Sequence, residues 1–325
     1  MKSFPLFIGR IILAGSFACL CAAPFLFNAA MLVLLTQALS MLTLAMLWNL
    51  VAGYGNVGVI GQHAFVGIGA YAFFGFAVLA GWGLAIAIPA AMAITLVFGV
   101  AVYGIIFRLR AAYLAVGSWV VAETIMLLAS RLEAFGGGSG MAVPAQLLKL
   151  LGQKPPERIV TIYIMALAVA IVTFMIIWGL MKSRIGLGLA ALRDSEEGAA
   201  VAGVNTRLVR AATFILASPL VGLVGILSTL QKGRISHIAS FSMLDWTIYV
   251  LFIVVIGGLG SLEGPIIGTI IFFLLRELLQ DYGAFYLIAL GTLAVTISLF
   301  APRGVWGLAR QKLGGDIIPL THDPK

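Results

Sequence analysis

Apolar runs long enough to cross a bilayer follow one another along nearly the whole chain, and this constrains the fold more than any other feature. A transmembrane helix needs about 20 mostly apolar residues. Such runs lie at roughly 6–28, 30–52, 57–80, 83–107, 112–130, 159–181, 210–231, 244–262, 264–280 and 283–301. Inside hydrocarbon no water reaches the backbone N–H and C=O groups, so each run is expected to satisfy its own as a helix. Charged residues make up 10% of the chain, against about 25% in soluble domains, which excludes a soluble fold. The expected architecture is an all-α integral membrane protein with about ten transmembrane helices. No polar stretch is long enough for a separate soluble domain, so residues 1–325 read as one transmembrane domain.

The formal net charge of +8 does not point to nucleic acid, because the cations sit at span ends rather than on one recognition face. Ten spans put both termini on one side. If that side is the cytoplasm, it carries Lys2, Arg10, Arg108, Arg110, Lys182, Arg184, Arg193, Arg207, Arg210, Arg303, Arg310, Lys312 and Lys325. The other side keeps Arg131, Lys149, Lys154, Arg158, Lys232, Arg234 and Arg276. The excess favours cytoplasmic N- and C-termini. Lys2 followed by an apolar run has the look of a cleaved leader. Arg10 interrupts it, however, and the run continues through Phe27, so it is read as the first span. Cys19 and Cys21 lie in that run with no partner at metal spacing and are read as packing residues. No metal site and no cofactor are expected.

Against this background Lys182–Arg210 stands apart, with 8 of the 32 charged residues (20 Lys and Arg plus 12 Asp and Glu). Leu189 and Leu192 fall on one helical face. Asp194 or Ser195 can cap a second short helix starting near Glu196, where Glu196 and Glu197 favour the positive end of the dipole. Gly203 can end it. Two short helices are expected, bent at Arg193–Asp194 and exposed. Two readings stand: a solvated basic loop that only orients the protein, or an element that touches a soluble partner.

Polar residues inside the apolar runs are few. Glu123 lies mid-span, where a charge costs a few kcal/mol and must be paired, protonated or turned to the interior. It is either a pin between helices or part of a path. No second mid-span acid or lysine completes a proton relay, which a stand-alone ion-coupled transporter would need. Gly53–Gly61 is glycine-rich enough to be a broken or re-entrant element. Asn49 precedes it, and Gln62 and His63 lie at its end, placed to line a path or to bond broken backbone. A lone histidine there is more often a satisfied buried residue than a ligand. Gly260, Gly264 and Gly268 recur every four residues, with Pro265 bending the chain at Gly264. They read as helix packing, a hinge, or a contact with another chain. Arg276, Glu277 and Asp281 close the ninth run as a charged rim or as snorkelling anchors. No lysine follows a glycine, so the nucleotide-binding P-loop pattern cannot occur. No nucleophile–base pair suggests a membrane enzyme.

Ser183-Arg184-Ile185-Gly186, Ala190-Ala191-Leu192-Arg193-Asp194-Ser195-Glu196-Glu197, Ala199-Ala200 and Gly203-Val204-Asn205 together resemble the cytoplasmic loop of bacterial ABC importer permeases of the branched-chain amino-acid family. Gly53-Tyr54 through Gly61-Gln62, with Ala64-Phe65-Val66-Gly67-Ile68-Gly69-Ala70-Tyr71, is similar to that family's third-span signature. Arg108-Leu109-Arg110 through Tyr113 to Ala122-Glu123 resembles its R-L-R-G-x-Y…A-E run. Val255-Ile256-Gly257-Gly258-Leu259-Gly260-Ser261-Leu262-Glu263-Gly264-Pro265 resembles its V-I-G-G-x-G-S-x-x-G-P signature. The chain departs from the pattern at Val59, where a serine is usual, and over 136–141. The resemblance implies a permease subunit of the inner membrane that translocates branched-chain or other hydrophobic amino acids; urea, amides and aromatic acids are alternative cargoes. It implies as partners a second, related permease, two cytoplasmic ATPase subunits that hydrolyse the ATP, a periplasmic substrate-binding protein, and membrane lipid. The loop with Gly186, Leu189, Leu192, Arg193, Asp194, Glu196, Glu197 and Gly203 would then couple to an ATPase.

Overall fold

Each apolar run holds a helix. In chain order the helices are α1 (Ser3–Leu26), α2 (Ala29–Trp48), α3 (Gln62–Phe74), α4 (Leu84–Ile106), α5 (Ala111–Ser130), α6 (Ala145–Lys149), α7 (Pro155–Met181), α8 (Arg184–Asp194), α9 (Glu196–Val201), α10 (Thr206–Lys232), α11 (His237–Ser240), α12 (Tyr249–Gly257), α13 (Gly264–Leu279), α14 (Phe285–Phe300) and α15 (Gly304–Leu313). The computed structural model describes residues 3–318 apart from positions 110, 280, 281, 284, 302, 314 and 316, and gives backbone alone for 3–14, 111, 112 and 313. Lys2, Arg110, Asp281, Lys325 and the Arg10 side chain therefore lie outside the described residues.

The protein is an all-α integral membrane protein, with fewer full-length spans than expected. Among the described residues seven helical stretches are long and apolar enough to cross a membrane, or eight if the bent pair α14 and α15 counts as one. The helices α13 and α14 have 16 residues each. At 1.5 Å per residue they rise about 24 Å, short of a hydrocarbon core of about 30 Å.

The centre of the bundle is α10, which packs against α2, α3, α4 and α7. Its approach to α3 is so close that a Cβ on Gly225 would strike the Val66 carbonyl, which is how small residues let membrane helices associate. Several buried hydroxyls are satisfied within their own helices. Thr36, Thr43, Thr213 and Thr229 each donate to the carbonyl four residues earlier. Pro219 has no N–H for the Ile215 carbonyl, and the Ser218 hydroxyl donates to it instead at 2.8 Å.

The third span is broken. The helix α2 runs on as a π turn over Asn49–Tyr54, and the chain reverses at Gly55–Asn56, where Asn56 adopts φ 53°. Residues 56–60 are non-helical, and helix resumes at Gln62. The non-helical backbone is held from both sides. The indole of Trp48 donates to the Val59 carbonyl at 2.8 Å, and the Ile60 and Gly61 N–H groups donate to the Ser118 hydroxyl of α5 at 3.0 and 3.2 Å. Non-helical backbone is tolerated at this depth only when protein satisfies it in this way.

The two ends of the bundle differ. At one end, β1 (Met141–Ala142) pairs antiparallel with β2 (Arg234–Ile235), tying the 131–154 connection to the end of α10. At the other end lie α8, α9, the Gly55 reversal, the 258–263 turn and α15.

Candidate functional site

The charged loop folds as two short helices because its capping residues stand where each must begin. The Ser183 hydroxyl accepts from the N–H groups of Ile185 and Gly186 at the start of α8. The Ser195 hydroxyl accepts from the Gly198 N–H at the start of α9. The bend lies at Ser195, in extended conformation, one residue beyond the expected Arg193–Asp194. The helix α9 is capped at Ala202, and Gly203 follows with φ 82°, the left-handed geometry of a helix terminus. Leu189 and Leu192 are fully buried, and Gly186 lies against the Met181 backbone, where a Cβ would not fit.

This element is held to the bundle by two arginines. Arg210 donates from Nε to the Gly55 carbonyl at 3.0 Å, and its two terminal nitrogens take both oxygens of Glu196 at 2.8 Å each. Such a bidentate pair is directional as well as strong. These hydrogen bonds, with the guanidinium charge, hold the Glu196 carboxyl below its ordinary range. Arg193 is exposed with the rest of the loop, as expected, and its guanidinium also reaches back to the bundle. It donates to the Gly260 carbonyl at 3.0 Å and lies 5.8 Å from the centre of the buried Tyr54 ring. Asp194 stays outside and pairs with its neighbour Arg193 at 3.3 Å. Glu197 is exposed. Leu187 and Val201 put apolar side chains on the outer surface, Val201 at 90% exposure.

Asn49 grips the same turn from within the bundle. Its amide nitrogen donates to the Ser261 carbonyl at 2.7 Å, and its oxygen accepts from the Gly260 N–H at 2.8 Å. Gly258 and Gly260 have φ of 132° and 72°, a backbone shape that favours glycine. Gly257, Gly264 and Gly268 bring α12 and α13 into backbone contact: a Cβ at Gly268 would strike the Ile253 carbonyl. Pro265 is the second residue of α13 and is buried there. These glycines are therefore occupied by packing within this chain.

The remaining polar candidates meet at mid-bundle. Gln62 donates to the Leu44 carbonyl at 3.4 Å. The His63 ring is fully buried, with Nδ1 at 3.0 Å from the Thr247 hydroxyl and Nε2 at 3.7 Å from Glu123 Oε1. The same carboxylate oxygen accepts from the Trp119 indole at 3.1 Å. Asn49, Gln62, His63 and Glu123 therefore do not form one constellation: Asn49 belongs to the turn and His63 belongs with Glu123. Among the described residues no group of three or more His, Cys, Asp or Glu side chains could hold a metal. Arg276 lies over the Phe273 ring at 5.9 Å.

Several participants carried no signal in the sequence. Arg210 read as a span-end cation, and Ser118 and Thr247 drew no reading at all. Glu263 is buried and accepts from the Ile318 N–H at 2.8 Å.

A family model described as the branched-chain amino acid transport system permease component matches residues 30–300. The chain is 27% identical over 230 residues to the high-affinity branched-chain amino acid transport system permease protein LivM of Escherichia coli K12, covering 64% of this chain and 54% of that protein. It is 25% identical over 314 residues to the LivM protein of Salmonella typhimurium, covering 90% and 73%. It is 26% identical over 165 residues to the BraD permease protein of Pseudomonas aeruginosa, covering 49% and 52%. The match thus spans little more than half the length of the Escherichia coli relative. No solved structure matches the chain.

Proposed function

Because the chain belongs to the branched-chain amino acid transport system permease family, we propose that it is the membrane-spanning subunit of an ATP-driven importer for branched-chain or other hydrophobic amino acids. It works with a second, related permease, two cytoplasmic ATPase subunits and a periplasmic binding protein, in a bacterial inner membrane with both termini in the cytoplasm. ATP binding and hydrolysis on the partner subunits move α8 and α9, and the bundle alternates the side to which its path opens. A partner shifts that equilibrium only through differential affinity for the two states.

The observation that carries this reading is the construction of the loop. Its inner face is fixed by Leu189, Leu192, Arg193 and Arg210, while its outer tip offers Glu197 and the apolar Val201, both exposed among the described residues. A loop that merely oriented the protein would need neither the anchoring nor the exposed valine. The test is purification of the tagged chain from native membranes in mild detergent, followed by uptake in proteoliposomes. Recovery with a second permease and an ATPase, and leucine uptake that requires ATP, is the expected result. Recovery alone, with uptake driven by an ion gradient, would overturn the reading.

A further inference from the structure

Glu123 is placed where a carboxylate has no reason to be unless something comes to it. It is the single charged residue of α5, and α4 beside it has none. It lies past the middle of a 20-residue helix, well inside both ends. Its side chain is 33% exposed. Val116, Trp119, Val120 and Leu127 surround it on the outward face, all exposed. That face is apolar enough for lipid, but a carboxylate within it is not: intramembrane acids almost always face the bundle interior or a water-filled cavity.

The carboxylate's hydrogen-bonding capacity is also largely unspent. An ionised carboxylate offers about four lone-pair sites. Trp119 supplies one donor. His63 Nε2, at 3.7 Å, is beyond hydrogen-bond range and has no hydrogen-bond partner of its own among the described residues, although it is buried. The geometry behind Glu123 is fixed. Thr247 holds the other face of the His63 ring, and the Ser118 hydroxyl, one and a half helical turns before Glu123 on α5, accepts the two N–H groups that lead into α3. A buried, hydrogen-bonded support thus stands behind a partly exposed carboxylate with open acceptor positions.

We propose that the α5 face bearing Glu123 lines the translocation path in the assembled transporter, and that Glu123 receives the ammonium group of a zwitterionic amino acid while the flanking Val116, Val120 and Leu127 meet its apolar side chain. An ammonium carries three donors and no acceptor, which matches what the carboxylate lacks. His63 acts as a positioning residue that fixes the carboxylate from behind. The proposal rests on the amino-acid importer reading above and adds to it the contact in this chain and the substrate group that makes it.

The test uses the wild-type complex in native membranes and a hydrophobic carbodiimide, which adds to a membrane-embedded carboxyl to give a stable N-acylurea that mass spectrometry locates. Leucine and leucinamide, which keep the ammonium, should slow modification of Glu123 at least fivefold. 4-Methylpentanoate, which keeps the side chain and carboxylate but lacks the ammonium, should not. In proteoliposomes Glu123→Gln, which retains the shape and an acceptor for Trp119, should lower leucine uptake at least tenfold with normal assembly. His63→Gln should weaken the leucine protection, which a purely structural histidine would leave unchanged. If wild type imports leucine but neither amine protects Glu123, or if 4-methylpentanoate protects equally, this assignment is wrong and the importer reading survives. If the wild-type complex imports no amino acid, both fall.

Discussion

Asn49→Ala should destabilise the protein by severing the 258–263 turn from α2. The asparagine is 2% exposed, and its amide makes two short bonds, to the Ser261 carbonyl at 2.7 Å and from the Gly260 N–H at 2.8 Å. Alanine supplies neither partner. A buried donor or acceptor left unsatisfied costs about 1–3 kcal/mol. The Ser261 carbonyl, with a second lone pair, lies at the low end and the Gly260 N–H at the high end, so the sum is roughly 2–4 kcal/mol. At about 1.4 kcal/mol per decade, the folding equilibrium moves roughly thirty- to a thousandfold. Unfolding of the purified protein by sodium dodecyl sulfate in mixed micelles reads this directly. A second variant sharpens the test. Arg193 holds the Gly260 carbonyl from the other side, so Asn49 and Arg193 share a partner residue, and Arg193→Ala combined with Asn49→Ala should deviate from additivity by about 0.5 kcal/mol or more. An Asn49→Ala cost below about 1 kcal/mol, together with strict additivity, would mean that water reaches the turn and that Asn49 is not its clamp.

Other outcomes follow from the same geometry. Gly268→Ala should cost about 1–3 kcal/mol, because the new methyl meets the Ile253 carbonyl across the α12–α13 crossing, whereas Gly179→Ala, which opens onto empty space, should be neutral or slightly stabilising in the same unfolding assay. The Glu196 carboxyl is held below its ordinary value of 4.5, so its contribution is complete above that pH and is lost as pH falls through the lower folded-state value. Glu196 is half exposed, and the stability gap between wild type and Glu196→Gln should be about 0.2–1 kcal/mol at pH 7 and close towards pH 3. Glu197→Lys combined with Val201→Asp should leave stability unchanged, since both side chains lie outside the fold, and should lower ATP-driven uptake; full uptake would remove the loop tip from the proposed partner contact.

Much of this was legible because membrane physics is strict. Runs of apolar residues had to be helices, so every expected run contains one. Ser195 and Gly203 marked the start and end of a short helix through local hydrogen bonding and backbone shape, which depend on neighbours a few residues away. Length was less legible: α13 and α14 read as spans because hydropathy does not record where a helix breaks. The third span was readable as irregular from its glycines, but not as an extended segment satisfied by Trp48 and Ser118, because those partners lie 11 and about 58 residues away. Arg193 is exposed, as its charge predicts, but its second role was not legible for a related reason: the carbonyl it bonds belongs to Gly260, 67 residues further on. Long-range partners of this kind leave no local pattern.

The two arginines also bear on how the loop could act on the bundle. A movement of α8 and α9 has two routes into the bundle: Arg193 of α8 ends on backbone, and Glu196 of α9 grips Arg210 of α10, which itself ends on backbone. Arg193 holds the Gly260 carbonyl, and that residue's N–H is held by Asn49 in the π turn of α2. Arg210 holds the Gly55 carbonyl at the reversal that starts the extended half of the third span. That extended half ends on Ser118, and two residues later His63 faces Glu123. The loop is thus joined to the middle of the membrane through a segment with no helical hydrogen bonds of its own, which can change shape without breaking a helix. Spatial continuity alone does not prove coupling. Its energetic content is measurable as the effect of Arg210→Ala on the carbodiimide reactivity of Glu123. Coupling through Gly55 should change that rate without any change at Glu123 itself, and an unchanged rate would confine the arginine to anchoring the loop.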